Sequence, residues 1–378
     1  MINKKRLIRL TKKLIRINSE NPPGDESRIA GFVKKYLGAI GVKSRLYEFG
    51  KNRSNLIAVL GAASKGNSLL ITPHLDTVPA GTSWKVPPFS GQLRGERIYG
   101  LGATDCKGNL AVSLEAINSL IEDKVNLEYA LVFAATADEE SGSRLGLEPL
   151  LNKGILKPDA ALVLDADDFQ IVVAQKGLLH LKVKIRGKKA HGAYPWLGSN
   201  AIDTSMSVLT ALKNHWAKRR GAEKNRYLKP ATINIGTIKG GDKVNVVADW
   251  CEFELDYRFL PGDRARQIKG EIKAVIANCT RSFKIEIEGI QNPCLVEDSH
   301  PLVYFLKEAA RSLGIKPKIS GSEGATTISF FQDRHIPAVA TGFGSEGCAH
   351  IADEYAKINN LFLGAALLER FIKSYKFN

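Results

Sequence analysis

The chain has 378 residues, 44% of them apolar, enough for two domains with full cores and no need of disulfide staples. Its net charge of +15 is spread along the whole length, without a zinc finger, recognition helix or aromatic RNA motif; nucleic-acid binding is therefore not favoured, and anionic substrates or an acidic carrier partner suit the charge better. No apolar run approaches the ~20 residues of a membrane span, and five cysteines without a Cys-x-x-Cys pair form neither a disulfide framework nor a thiolate zinc site, so a cytoplasmic protein with free thiols is expected.

The basic start, Met1 to Arg6, is not followed by a continuous apolar stretch, as a signal peptide would require. Leu7, Leu10, Leu14 and Ile17 recur at helical spacing instead, which predicts an amphipathic core helix. Short β-rich apolar runs then alternate with helical stretches up to about residue 175. Runs leading to His74, Glu140 and Asp165 are strand-like, and Leu110 to Ile121 is helix-like. The alternation predicts an α/β layer with a mostly parallel sheet, whose ligand site lies beyond the carboxyl ends of the strands.

The pattern changes at Leu179–Arg186, where apolar and polar residues alternate strictly, as in a strand with one wet face. Cys251–Phe259 and Phe283–Glu288 alternate in the same way. With a further strand over Ala231–Ile238 and helical stretches at about 199–219 and 263–279, residues 178–290 read β-α-β-β-α-β, the ferredoxin-like order. After Pro293 the chain returns to helix, strand and Gly-rich loops, and a helix from Asn359 to Tyr375 closes it. If His350 joins His74, Glu140 and Asp165 in one site, the expected organisation is a domain in two parts, 1–176 and 292–378, with residues 177–291 inserted as an α+β unit.

Metal-binding side chains cluster at the ends of the apolar runs. In His74-Leu-Asp76 a carboxylate two residues beyond an imidazole can hold its second nitrogen and fix the tautomer of a metal ligand. Asp105 lies between Gly100, Gly102 and Gly108, which let the backbone pass close to a cation; in isolation it also reads as a turn aspartate. The adjacent Glu139 and Glu140 point in different directions, so one can ligate while the other takes a proton from water; a charged helix N-terminus is the alternative. Asp165 ends another apolar run, with Asp167 and Asp168 as nearby rivals, and His350 completes the set. Mixed imidazole and carboxylate ligands suit zinc, cobalt or manganese in a two-metal hydrolytic site. There is no Walker A loop, no Gly-x-Gly-x-x-Gly after a strand and no Gly-x-Ser-x-Gly, so nucleotide and serine-nucleophile chemistry find no support.

From Ser19-Glu-Asn-Pro-Pro-Gly24 to His350-Ile-Ala-Asp-Glu-Tyr355 the chain resembles the two-metal family of acetylornithine deacetylase, succinyl-diaminopimelate desuccinylase, aminoacylase and glutamate carboxypeptidase. The resemblance implies a two-metal catalytic domain interrupted by an α+β lid and dimerisation domain, and that Asp105 bridges two metals, His74 and Asp165 completing one shell and Glu140 and His350 the other. It implies that Asp76 orients His74 and that Glu139 is the general base. In Gly187-Lys-Lys-Ala-His-Gly-Ala-Tyr-Pro195 it marks His191 as the oxyanion donor, supplied by the partner subunit in dimeric relatives. Asn245 and Arg258 are marked as substrate contacts, Arg258 for a carboxylate; the other reading of Arg258 is a sheet charge beside Asp256.

Two departures stand out: Ala248 replaces the family's usual proline, and Gly321–Thr327 lacks the family's aspartate. Glu323 in that loop either meets a cationic side chain or faces water. The implied protein is a homodimeric amide hydrolase that deacylates a small N-acyl amino acid by metal-activated water, zinc being the first choice of metal. The alternatives are a dipeptidase or carboxypeptidase of the same kind, and an inactive, basic binding protein.

Overall fold

A computed structural model describes residues 1–61, 66–220, 224–324 and 326–377. The elements begin with α1 (Lys4–Ile15), α2 (Ser27–Ala39), β1 (Ser44–Glu48), β2 (Ser54–Leu60), β3 (Ser68–Thr72), β4 (Gln92–Arg94), β5 (Arg97–Tyr99), α3 (Lys107–Glu122), β6 (Ala130–Ala135), α4 (Leu147–Asn152), β7 (Ala160–Leu164) and β8 (Ile171–Gln175). They continue with β9 (Gly177–Arg186), α5 (Ala201–Arg220), β10 (Thr232–Gly240), β11 (Trp250–Phe259), α6 (Ala265–Cys279), β12 (Phe283–Gln291) and β13 (Cys294–Leu295). They end with α7 (Pro301–Arg311), β14 (Ile319–Ser322), α8 (Ile328–Gln332), β15 (Ala338–Thr341), β16 (Tyr355–Lys357) and α9 (Ile358–Ser374). Two compact units result: Met1–Val173 with Val296–Ser320 and Phe330–Asn378, and Ala174–Leu295 with Gly321–Ser329.

The first unit is built on a sheet in the order β1-β2-β6-β3-β7-β15-β8. β6, β3, β7 and β15 run parallel to one another, and β1, β2 and β8 pair antiparallel at the flanks. The parallel strands are buried almost throughout, as Val/Leu/Ala-rich strands covered on both faces should be. α1 rests on α3: Leu7, Leu10 and Leu14 are buried, and Arg6 Nε donates to the buried Glu115 at 2.6 Å. The helix stops at Ile15, so Ile17, expected as its last apolar position, lies beyond it. α9 packs over α3 and α7, with Gly364 against the fully buried ring of Phe343.

The second unit is a four-stranded antiparallel sheet in the order β10-β11-β9-β12, with α5 and α6 between the strands in sequence, which is the ferredoxin-like arrangement the alternating segments predict. Leu179, Leu181, Val183, Phe253, Leu255 and Tyr257 face the core with Val208 and Ile268 of the helices. The alternate positions carry charge in cross-strand pairs, Lys182 to Glu254 and Glu288 at 2.9 Å each. Glu323 meets a cationic side chain of the chain itself: its Oε2 lies 2.6 Å from the buried Lys176 Nζ, and its Oε1 accepts from Lys229 N. Ala325 of that loop lies outside the described residues. All five cysteines are free, only Cys279 being exposed, and no helix among the described residues is long and apolar enough to cross a membrane.

A methyl group on Gly364 would stand 2.3 Å from Phe343 Cγ, with no free space for the ring to take. Gly364→Ala is expected to destabilise the first unit by about 1–3 kcal/mol through overpacking, read as a lower urea midpoint at unchanged slope.

Candidate active site

Three parallel strands deliver the site to one edge of the sheet. β3 leads into His74, which bridges to Thr136 just past the end of β6, and Leu75 N donates to Thr136 O. β6 leads into a single 3₁₀ turn, Glu139–Ser141, and β7 ends one residue before Asp165, whose N–H is held by Thr341 O. Asp105 comes from the loop that opens α3. Gly102 in that loop has φ +82° and is closely packed against Lys107 and Thr77, a place for glycine on both counts.

The two oxygens of Asp105 face different imidazoles. Oδ1 lies 2.8 Å from His74 Nε2, and Oδ2 lies 3.2 Å from His350 Nε2. Asp165 Oδ1 is 3.8 Å from His74 Nε2, and Glu140 Oε2 is 3.1 Å from His350 Nε2. Two clusters thus share Asp105. Asp168, a rival of Asp165, is occupied elsewhere, by Asn360 Nδ2 and Glu346 N. Cys106 Sγ also falls within ligand distance of His74 and Asp105, but it donates to Leu164 O at 2.8 Å and burial pushes the thiol up to about 11.

Asp76 acts through different atoms from those expected of it. His74 Nδ1 is 3.0 Å from the backbone carbonyl of Asp76 and 3.5 Å from its carboxylate. The carboxylate instead accepts from Glu139 N and Glu140 N at 3.1 Å each, and from Asn21 Nδ2 at 2.9 Å. Behind it, Asn21 also reaches Asp138 Oδ1, which Arg53 Nη2 meets at 2.7 Å. Arg53 in turn grips the fully buried Glu26 with two bonds of 2.7 Å. Asn21 stands in a segment already singled out by its sequence. Glu26 and Arg53 carried no signal, because charges in short polar stretches read as surface, and Asp138 was overshadowed by the two glutamates that follow it.

The electrostatics follow from this crowding. Burial would lower the His74 imidazole, but Cys106, Asp105 and Asp76 outweigh it and hold it well above its ordinary value. Burial, followed by the charges of Asp105, Glu140 and Asp76, raises Glu139 to about 7 against the pull of His74. Asp165 is raised well above the usual range by burial and by Glu139 and Asp105. Hydrogen bonds to Asp105 and Glu140 lift His350 to about 10, and those from His350 and His74 override burial to depress Asp105.

This donor set suits divalent cations. With Nδ1 of His74 donating to a carbonyl, a neutral ring aims the Nε2 lone pair at a carboxylate oxygen 2.8 Å away, a contact that needs a proton or a metal ion between acceptors. Four carboxylates against two imidazoles also leave a surplus of negative charge that two dications offset.

Residues 70–374 match the family model of peptidase family M20/M25/M40. The chain belongs to this family. As an M20 protein it is a metal-dependent hydrolase of amide or peptide bonds. Its fold agrees: the aminopeptidase PepT of Bacillus cereus ATCC 10987 superposes with a TM-score of 0.81 at 24% identity, covering 98% of each chain. The YXEP protein of Bacillus subtilis, a dinuclear metal-binding M20 peptidase, does so at 0.73 and 17% identity, covering 98% of this chain and 97% of that one. A succinyl-diaminopimelate desuccinylase of Orientia tsutsugamushi (strain Ikeda) is 28% identical over 375 residues, 96% of this chain and 94% of that protein.

The remaining expected residues of this M20 hydrolase lie in its second unit. His191 is exposed and bridges to Val246, its Nδ1 accepting from Ala193 N at 3.0 Å. Asn245 is exposed on the adjoining segment, its carbonyl accepting from Gly192 N. Arg258 is paired with Asp256 through Nε and Nη2 at 2.7 and 3.0 Å, so a substrate carboxylate would have to share or displace that partner.

Removing the cation that Glu26 and Asp138 share leaves buried carboxylates uncompensated. Arg53→Met is expected to cost about 3–5 kcal/mol of stability, measured by urea unfolding, whereas the double change Glu26→Gln with Arg53→Met recovers part of the loss.

Proposed function

We propose that the chain is a two-metal deacylase that removes the acyl group from a small N-acyl amino acid. The observation that carries the two-metal part is the sharing of Asp105 between an imidazole–carboxylate pair on each side. The deacylase part is supported by the near full-length similarity to a succinyl-diaminopimelate desuccinylase. His74 and Asp165 would hold one ion, Glu140 and His350 the other, with Asp105 between them. Zinc is the first candidate, cobalt and manganese the others. Bound there, two cations supply charge to polarise the amide carbonyl and to acidify water.

The chain's own groups do the rest. Glu139, its carboxyl raised to about 7 by burial and its acidic neighbours, takes a proton from water and returns it to the leaving amine. Asp76 fixes this acid–base group, since its carboxylate holds the backbone of both glutamates while its carbonyl sets the His74 tautomer. His191, Asn245 and Arg258 are proposed as substrate contacts on their sequence motifs alone. The competing reading, cleavage of a short peptide, is favoured by the aminopeptidase likeness in fold.

The test is a panel of N-acetyl, N-succinyl and N-formyl amino acids beside di- and tripeptides, run on protein stripped of metal and reloaded with Zn²⁺, Co²⁺ or Mn²⁺. Turnover is expected to need metal, to prefer an N-acyl amino acid and to disappear with a chelator. A preference for peptides would replace the deacylase reading with the peptidase one. Glu139→Ala is expected to lower kcat by about 10²–10⁴-fold with metal content unchanged. Wild-type kcat in that variant would remove Glu139 from the role of base.

A further inference from the structure

We infer that Glu354 is a positioning residue of the active site, holding the Asp105 loop in the one conformation that lets Asp105 face both imidazoles. The inference rests on the reading of Asp105 as the shared metal ligand. Glu354 is 1% exposed, and both its oxygens are used on that loop. Oε1 accepts from Thr104 N at 2.7 Å and from Asp105 N at 3.0 Å, and Oε2 accepts from Gly102 N at 2.8 Å. Three backbone amides of one short loop thus converge on a single carboxylate, as in an anion nest with the anion supplied by the protein. None of the three could be satisfied by the loop itself in this shape, because the turn aims them all to one side.

The same segment ties in the other ligand. His350 lies four residues before Glu354, and both His350 and Asp353 take positive φ, +60° and +58°, to fold the segment back. Glu354 O accepts from Gly100 N, and Thr104 Oγ1 donates to Tyr355 O while accepting from Ser345 N. Tyr355–Lys357 then pairs with Arg97–Tyr99, and Asp353 Oδ1 caps Lys85 N and Val86 N. The stretch carrying His350 and the loop carrying Asp105 are therefore one hydrogen-bonded piece, with the Glu354 carboxylate at its centre. Glu354 neither faces His74 nor His350 in any bond of the structure, so it acts through the backbone of Asp105 and not as a ligand.

Glu354→Gln keeps the volume but offers only one acceptor oxygen, and its amide group would confront at least one backbone N–H. The variant is expected to keep the far-UV circular dichroism of the parent at 25 °C and to bind Zn²⁺ about 10- to 100-fold more weakly in a chelator-competition titration. On the best substrate of the panel, kcat at saturating Zn²⁺ is expected to fall with KM little changed. A purely structural role would lower the melting temperature and leave Zn²⁺ affinity and kcat as they were; that result overturns the inference. Asp105→Asn, run alongside, separates the two claims. Unchanged Zn²⁺ affinity there removes the ligand reading and this inference with it, whereas a loss there beside wild-type affinity in Glu354→Gln overturns this inference alone. If Glu354→Gln does not fold, Glu354→Asp keeps the charge but draws the carboxylate back from the three loop amides. It is expected to weaken Zn²⁺ several-fold, and wild-type affinity in it counts equally against the inference.

Discussion

The first unit of this protein is organised around the cost of burying carboxylates. Asp76 and Glu26 are wholly out of solvent, Glu354 is 1% exposed and Asp138 4%. Asp105, Glu139, Glu140 and Asp165 are only partly covered, and burial together with the neighbouring carboxylates raises Glu139 and Asp165. A buried, unpaired carboxylate costs several kcal/mol, so each must be met by a proton, a cation or several hydrogen bonds. Much of the irregular structure at the strand ends is the means by which this is done.

Two devices meet the demand, and they differ in kind. Behind the site, Arg53 supplies a guanidinium to Glu26 and Asp138, and Asn21 carries the connection forward to Asp76. In front of it, backbone amides do the work: those of Glu139 and Glu140 on Asp76, and those of Gly102, Thr104 and Asp105 on Glu354. Backbone donors cannot rotate away as side chains can, so a carboxylate that gathers several of them also fixes the loop that offers them. The groups left over include Asp105, Asp165, Glu140 and the two imidazoles, the set proposed to hold the cations.

That division gives the M20 assignment a physical content beyond sequence similarity. The parallel core strands β3, β6 and β7 end at one edge, so loops distant in sequence meet there. The Gly321–Ser329 loop, in which the usual aspartate is missing, carries a glutamate already committed to Lys176.

Much was legible in the sequence. Apolar runs without alternation foretold β3, β6 and β7 as buried parallel strands, and strict alternation foretold the half-wet strands β9, β11 and β12. Period is a local property, and burial on one face or two writes it directly into the chain. His74, Glu140 and Asp165 were legible for the same reason, since each follows its own apolar run, while Asp105 and His350 were marked by the loop segments around them. What only the tertiary structure decided was which atoms of these residues act. His74 Nδ1 stands nearer the carbonyl of Asp76 than its carboxylate, a local contact two positions apart, whereas Arg53, Glu26 and Glu354 stand behind the site through contacts between residues 27 to 252 positions apart in sequence. Such distant contacts leave no periodic trace, because their partners are chosen by where separate loops land once the sheet has formed.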